Sequence, residues 1–458
     1  MKILIASTPL MGHLNPLLAI GRILIAEGHE VAFISGSALR SRIEGIGAKF
    51  RAFPAGADFD LEDIVSVVPE LKDMPPGPEW LRIAIERVFV DTIPAQHKGL
   101  QQVLRDFPAD VIVGDDMIFG VLPMLLGPRA KRPAIVLCGT SILHWRRADG
   151  APYFAGLPPA TTHAQLQEYA AIAQEHARVI YQPVGRRLNR SLKDLGVGPL
   201  SRPPFDSAVE LADAYMQLTV PSFEFPRDIP PSVYFVGTPP IIRNQVPLPS
   251  WAHELDGSRK VVLVTQGTLA NHNFGLLVAP TLAALANEPD VLVVATAGGR
   301  PVDAIPGPIP GNARLASYLP FEWLLPKVDV FVTNGGYGSV NQAMSFGIPI
   351  VAAGLTEDKA DVSARIAWSG VGINLATNKP TPEALREAIR TVLDKPNYRS
   401  RASLMADEFG GIDTRSEILR IVGQVSQISD DDGLRRSGVA EDKSTQAPLS
   451  ANHLAPIN

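Results

Sequence analysis

Seven consecutive residues, Thr333-Asn334-Gly335-Gly336-Tyr337-Gly338-Ser339, carry the pattern with the most chemical content in this chain. An apolar run (Val328, Val330, Phe331, Val332) enters them and a helical pattern leaves them. Glycines let the backbone turn tightly and let a ligand come close. At a helix N-terminus such a turn aims N–H groups and the positive end of the helix dipole at an anion. That is phosphate-binding chemistry without a P-loop lysine, and it points to a nucleotide or sugar nucleotide. Gln266-Gly267-Thr268 and Ala297-Gly298-Gly299 also follow apolar runs, so several glycine turns fall on one sheet edge. The acid pair Glu357-Asp358 follows another such run. Its carboxylates could accept hydrogen bonds from sugar hydroxyls, or cap the next helix.

A second group of reactive residues lies in the first half. Pro9-Leu10-Met11-Gly12-His13-Leu14-Asn15-Pro16 leaves an apolar run and leads into a helical pattern. His13, just before that helix, is placed to act as a general base, or else is a capping or surface histidine. Asp115 and Asp116 end the run Asp110–Gly114 on the same edge. One of them could hydrogen-bond the far ring nitrogen and stabilise an imidazolium; either could instead cap the following helix.

These residues need parallel strands to bring them together. Lys2–Ser7, a helix from about Leu17 to Glu27 ended by Gly28, and Val31–Ser35 form a βαβ unit. Asp110–Gly114 and Ala134–Cys138 continue the pattern, and Thr162–Leu195 reads as helical. Prolines cluster from Pro221 to Pro249, with only Ser232–Val236 resembling a strand, which marks a stiff linker. A second α/β half follows, with strands at Lys260–Thr265, Val291–Thr296, Asp329–Thr333 and Ile348–Ala353, and a helix at Pro382–Leu393. The expected organisation is a first doubly wound domain over 1–220, a linker over 221–250 and a second domain over 251–395. A helical segment over 396–428 crosses back to the first domain, and a disordered tail covers 429–458.

Composition sets the limits. The chain has 458 residues, too many for one ordinary core and enough for two. Lys and Arg number 42 against 47 Asp and Glu, a net charge of −5, which argues against a nucleic-acid binder. The single cysteine, Cys138, excludes an intrachain disulfide and a Cys-rich zinc site. The apolar N-terminal run is short for a secretory leader, and no segment has the ~20 apolar residues of a membrane span, so a cytoplasmic location is expected. Neither half has Gly-x-Gly-x-x-Gly after its first strand, which disfavours a dehydrogenase.

Three stretches, Gly12–Pro16, Thr265–Thr268 and Tyr318–Lys359, resemble the signature regions of family-1 glycosyltransferases of the GT-B fold. The resemblance is to the bacterial or fungal type that glycosylates lipophilic natural products, and it spans about residues 1–425. It implies two Rossmann-like domains flanking a cleft, and inverting transfer of a hexose from a UDP- or dTDP-sugar to an acceptor hydroxyl. Under it, His13 deprotonates the acceptor and Asp115 orients His13, with Asp116 as the fallback. Tyr318 takes the place of a tryptophan that stacks on the nucleobase. Gly336, Gly338 and Ser339 hold the diphosphate, helped by Gly267 and Thr268. Asp358 holds the sugar hydroxyls, and Gly12 and Glu357 belong to the donor site. Asn334 stands for the usual phosphate-contacting histidine, Gln342 for a ribose-binding glutamate and Lys359 for a glutamine. No cofactor or metal is expected, since backbone N–H groups can hold a phosphate alone. The expected partners are the donor and a hydrophobic acceptor, with the chain a monomer or homodimer. A sugar-nucleotide epimerase and a catalytically silent binding paralogue are the competing readings.

Overall fold

The computed structural model describes residues 1–427 apart from 61–63, 76, 242–246 and 268–270. The tail expected over 429–458, and Thr268, lie outside the described residues.

Two all-parallel sheets form the frame. The first contains β1 (Lys2–Ala6), β2 (Glu30–Ser35), β3 (Lys49–Ala52), β4 (Val111–Asp115), β5 (Ala134–Gly139), β6 (Ala214–Gln217) and β7 (Val233–Phe235), in the order β3-β2-β1-β4-β5-β6-β7. The second contains β8 (Lys260–Thr265), β9 (Val291–Thr296), β10 (Ala313–Ala316), β11 (Val330–Thr333), β12 (Ile350–Ala352) and β13 (Gly372–Asn374), in the order β10-β9-β8-β11-β12-β13. Central strands buried on both faces need continuous apolar runs, and Val262-Leu263-Val264 and Val291-Leu292-Val293-Val294 supply them with no exposed surface. This is the expected α/β architecture of two Rossmann-like units. Each sheet reverses its winding once, between β1 and β4 and between β8 and β11. At such reversals a crevice opens beyond the carboxyl ends of the strands.

Two sequence expectations need adjustment. The first helix is Met11–Ala26, so His13 lies inside its first turn rather than ahead of it. Pro16, the sixth residue of that helix, lies past the N–H groups that lack an intrahelical partner, so the usual bond to Gly12 O is not made there. Within the proline-rich stretch, the strand expected at Ser232–Val236 is present as β7, which pairs with β6 through Tyr215↔Val233. The helical region after Lys395 is two helices, Pro396–Gly410 and Thr414–Ser426. The former packs on the Tyr337–Ser345 and Pro382–Asp394 helices. The latter lies against β4, β5, β6 and the first helix. Ile418, Ile421, Val422 and Val425 are buried there with Leu14, Leu17 and Ile20. No helix among the described residues is long and apolar enough to cross a membrane.

The halves are also joined by buried charge. Glu224, just beyond β6, accepts hydrogen bonds from Leu143 N at 2.8 Å, Arg227 at 3.0 Å and Arg365 at 2.8 Å. Arg365 belongs to the helix Lys359–Trp368 of the second half, and its guanidinium also stacks 4.2 Å from the Phe225 ring. Removing one member of such a set strands the other charges without solvent. Glu224→Ala is therefore expected to cost about 3–5 kcal/mol, read as a lowered midpoint in urea or heat denaturation. An unchanged midpoint would show that the set is energetically idle.

Candidate functional site

The first reversal point holds an acid–imidazole pair. Asp115 is the last residue of β4, beside β1 through the register Ala6↔Gly114. The first helix begins five residues after β1 ends, which puts His13 over the same gap. His13 Nδ1 lies 3.0 Å from Asp115 Oδ1. The carboxylate is fully buried and held by three further donors. Thr8 N reaches Oδ2 at 2.6 Å, while the Thr8 hydroxyl and Met117 N reach Oδ1 at 2.9 and 3.0 Å. A carboxylate with that many donors is held in one orientation. It thus favours the imidazole tautomer with hydrogen on Nδ1 and leaves Nε2 as the basic nitrogen. Of the two acids left open by sequence, Asp115 is the one bonded to His13, and through Met117 N it caps the local turn as well.

Burial disfavours the His13 imidazolium, but the charge and hydrogen bond of Asp115, with Asp116 and Asp358 further off, outweigh it and raise the pKa above the ordinary histidine value. Asp116 takes different partners. Its Oδ1 accepts from the Thr140 hydroxyl at 3.0 Å and Thr140 N at 3.2 Å, and its Oδ2 lies 3.3 Å from both His144 Nδ1 and Tyr215 OH. The facing atoms of His13, Asp115 and Asp116 lie within 4.8 Å of one another, close enough in principle for a cation. The donors just described reach both oxygens of each acid. An Asp-x-Asp spacing does occur at Asp58-Phe59-Asp60, but Asp58 accepts from Ser37 N at 2.7 Å in the loop after β3, away from the glycine turns.

The second reversal point holds the glycine turns. Gly335 has φ +90° and Gly267 φ +71°, so both need glycine's left-handed freedom. A Cβ on Gly298 would stand 2.0 Å from Gly267 O, which makes the β8 and β9 turns pack backbone to backbone. Gly336 precedes the Tyr337–Ser345 helix, and Gly338 lies open with no atom within 4 Å of a built Cβ. The Ser339 hydroxyl donates to Gly336 O at 3.0 Å. Asn334 donates its amide to Gln266 O at 3.0 Å, bridging the β11 and β8 turns. Gln342 sits half-buried on the Tyr337–Ser345 helix and Gly12 on the first turn of the Met11–Ala26 helix, both on the cleft edge of their sheets. Tyr318, just past β10, is 43% exposed, as a ring offered to a flat ligand would be.

The acidic loop joins the two edges. The Ser141 hydroxyl, after β5, donates to Asp358 Oδ2 at 2.6 Å. Burial raises the Asp358 pKa while the Ser141 hydrogen bond and His144 work against the rise. Lys359 is buried and ion-paired with Glu357, and burial pushes its ammonium down to about 8. Asp361 accepts from Phe154 N at 2.5 Å and Gly156 N at 2.8 Å, fastening the same helix to the first half.

Of the aromatic residues in the irregular regions, Phe89 lies nearest the base, with ring centroids 6.3 Å apart. It sits on a π-helical turn, Glu86–Val90, a rare form that re-aims the side chains of a helix. Trp145 is instead core: it is 6% exposed and its Nε1 donates to Asp228 O at 2.9 Å. Thr140, Ser141, His144 and Asp361 escaped the sequence reading. Thr140 and Ser141 follow a recognised strand on the right edge, a signal that could have found them; His144 and Asp361 carried none.

Residues 281–424 match the family model described as erythromycin biosynthesis protein CIII-like, C-terminal domain. The chain is 37% identical to 4'-demethylrebeccamycin synthase of Lentzea aerocolonigenes, over 90% of this chain and 96% of that one. It is 36% identical to UDP-glycosyltransferase 2 of Phaeomoniella chlamydospora, over 91% and 94%. The solved glycotransferase of kitacinnamycin superposes with a TM-score of 0.67 at 21% identity, covering 93% of this chain and 98% of that one.

The raised His13 pKa is directly measurable. In ¹⁵N-histidine NMR, His13 is expected to titrate above the ordinary value of about 6.5. Asp115→Asn removes the main stabiliser of the cation and should bring the midpoint down. A midpoint unmoved by that substitution would separate the two residues electrostatically.

Proposed function

Because this chain belongs to the family-1 glycosyltransferases that act on natural products, we propose that it transfers a hexose, with inversion and without a metal, from a UDP- or dTDP-sugar to a hydroxyl of a lipophilic small molecule. The observation that carries this reading is the His13–Asp115 pair at one reversal point facing the glycine turns at the other, with Asp358 and Ser141 bonded between them.

The acceptor hydroxyl lies between His13 Nε2 and the anomeric carbon of the donor, against Phe89. As its oxygen bonds to that carbon, its proton passes to Nε2 and Asp115 stabilises the imidazolium. The bond from the anomeric carbon to the diphosphate oxygen breaks, and the electron pair leaves with the diphosphate. Backbone N–H groups at Gly335–Ser339 and the dipole of the following helix stabilise the leaving group. A single displacement of this kind inverts the anomeric centre. The buried carboxyl of Asp358 is placed to take hydrogen bonds from the sugar, and the cross-cleft contacts keep water from the donor. The names of the relatives favour transfer over epimerisation.

The test is incubation with UDP- and dTDP-sugars and a panel of phenols and sterols. Nucleoside diphosphate should appear only with an acceptor present, NMR should show the product inverted at the anomeric carbon, and EDTA should leave the rate unchanged. His13→Ala should lower turnover by roughly 10²–10⁴-fold. A retained configuration, loss of activity with chelator or full turnover by His13→Ala would each break the corresponding part of the mechanism.

A further inference from the structure

His13 Nδ1 has a second neighbour besides Asp115: the Thr140 hydroxyl, at 3.1 Å. A hydroxyl has one hydrogen, and where it points decides what His13 meets. If Thr140 donates to His13, it favours the tautomer with a bare Nδ1 and the proton on Nε2, which cannot act as the base. If Thr140 donates elsewhere, its lone pair faces Nδ1–H and supports the basic Nε2. The geometry supplies an elsewhere in Asp116 Oδ1, at 3.0 Å from the hydroxyl.

Asp116 is built for this task. It is 4% exposed, and Thr140 N, His144 Nδ1 and Tyr215 OH all approach it. Burial works against its charge, but His144, His13 and Thr140 N more than compensate, so its pKa lies below the ordinary value. His144 is fixed in turn by aromatic rings, with centroids 5.0 Å from Phe205, 5.3 Å from Tyr153 and 5.6 Å from Phe154. Its Nε2 is buried without a hydrogen-bond partner, so Nδ1 is its only polar attachment among the described residues. A histidine caged this way has one evident job, which is to hold Asp116. The charged and titratable groups facing His13 are Asp115 and Asp116 from the end of β4, and Asp358 from the second half, with His144 behind Asp116.

We propose that Asp116, held by His144 and Tyr215, orients the Thr140 hydroxyl away from His13, so that two acceptors, Asp115 and Thr140, lock His13 in the tautomer whose Nε2 is free to take a proton. Asp116, His144 and Thr140 are thus positioning residues, and the inference deepens the glycosyl-transfer reading by assigning what sets its base. The proton on Thr140 stays on Thr140; no bond is made or broken in the relay.

The experiment reads the ring itself as well as turnover. In the ¹⁵N-histidine spectrum of the full chain, with His13 assigned by its loss in His13→Ala, the wild type should show a protonated Nδ1 and an unprotonated Nε2 above its titration. Asp116→Asn keeps a carbonyl acceptor for Thr140 but loses the charge. It should keep this tautomer and lower the His13 midpoint, moving the acid limb of kcat/KM to lower pH. Asp116→Ala removes the acceptor too; the tautomers should mix and kcat should fall by about tenfold or more. Adding Thr140→Val to Asp116→Ala removes the competing donor and should restore the Nδ1–H form. His144→Phe should shift the tautomers in the same direction by less, and His144→Asn, which keeps an N–H donor, should bring them back. The proposal falls if Asp116→Ala leaves the tautomer unchanged, or if Thr140→Val fails to restore it. Should Asp116→Ala not fold, an unchanged tautomer in His144→Phe overturns it. Since the tautomer is read without substrate, a chain that transfers no sugar would defeat the functional reading and leave this one standing or falling on its own spectrum.

Discussion

The reversal of winding within each sheet is the constraint on which this molecule's chemistry depends. Between β1 and β4, and again between β8 and β11, neighbouring strands send their connections to opposite faces, which opens a crevice at their carboxyl ends. Polar groups at these two gaps must find partners across them. His13 with Asp115 spans the first gap across 102 positions of sequence, and Asn334 with Gln266 spans the second across 68. Each pair joins the ends of the two strands that flank its reversal. Register therefore matters: Ala6↔Gly114 brings Asp115 to the end of β1, where the first helix carries His13 over it, and Thr265↔Thr333 sets Gln266 beside Asn334. A slip of one position in either pairing would turn the functional side chain to the wrong face.

Two such gaps become one site only when the halves are held face to face. The bonds that do this concentrate on a single helix, Lys359–Trp368. Asp358 at its start bonds Ser141, Asp361 takes two backbone N–H groups, and Arg365 is paired with Glu224. Near the glycine turns, the Tyr337 hydroxyl meets Gln217 Nε2 and Asn341 meets Thr219, so the phosphate-side helix is also anchored to the first sheet. Buried charges of this kind contribute little net stability over an apolar contact, but they are unforgiving of misplacement. What they supply is alignment. Asp358 is bonded to the loop after β5, the same loop that carries Thr140 beside His13.

Legibility in the sequence followed how locally each feature is determined. The long, doubly buried strands announced themselves as apolar runs, and the glycine turns, His13 and the acids stood at their ends. The strands β3, β6, β10 and β13 carried no such signal. They are three or four residues long, and all but β6 lie at a sheet edge, where half-exposed positions such as Arg314 and Asn374 dilute the pattern. The first helix was read as starting near Leu17, because Gly12, Asn15 and Pro16 look like loop residues. In the structure they occupy its first turns, where capping demands are loose. Choosing Asp115 over Asp116 from adjacency alone was open, since both face the same crevice; only the third dimension separates the acid that meets His13 from the one that meets His144. Asp361 and Arg365 could not be foreseen, because a charged residue on an amphipathic helix is ordinarily solvated, and what buries these two is the opposite half of the chain.

Asn334 shows how a departure from the family pattern can be read physically. A histidine here would bring a group able to carry positive charge to the phosphate. The asparagine cannot, and one of its two amide hydrogens is given to Gln266 O. The backbone around it leaves no slack: a Cβ on Gly354 would stand 2.0 Å from Asn334 O, and one on Gly335 would stand 2.9 Å from the Ser363 hydroxyl. The nearby cation does not replace the missing charge either. Lys359 is ion-paired with Glu357, a residue held at φ +54°, and burial has already weakened its hold on the proton. Asparagine in this position therefore acts as a staple between the β8 and β11 turns. Its bond ties together the two turns whose N–H groups the proposed reaction uses for the diphosphate.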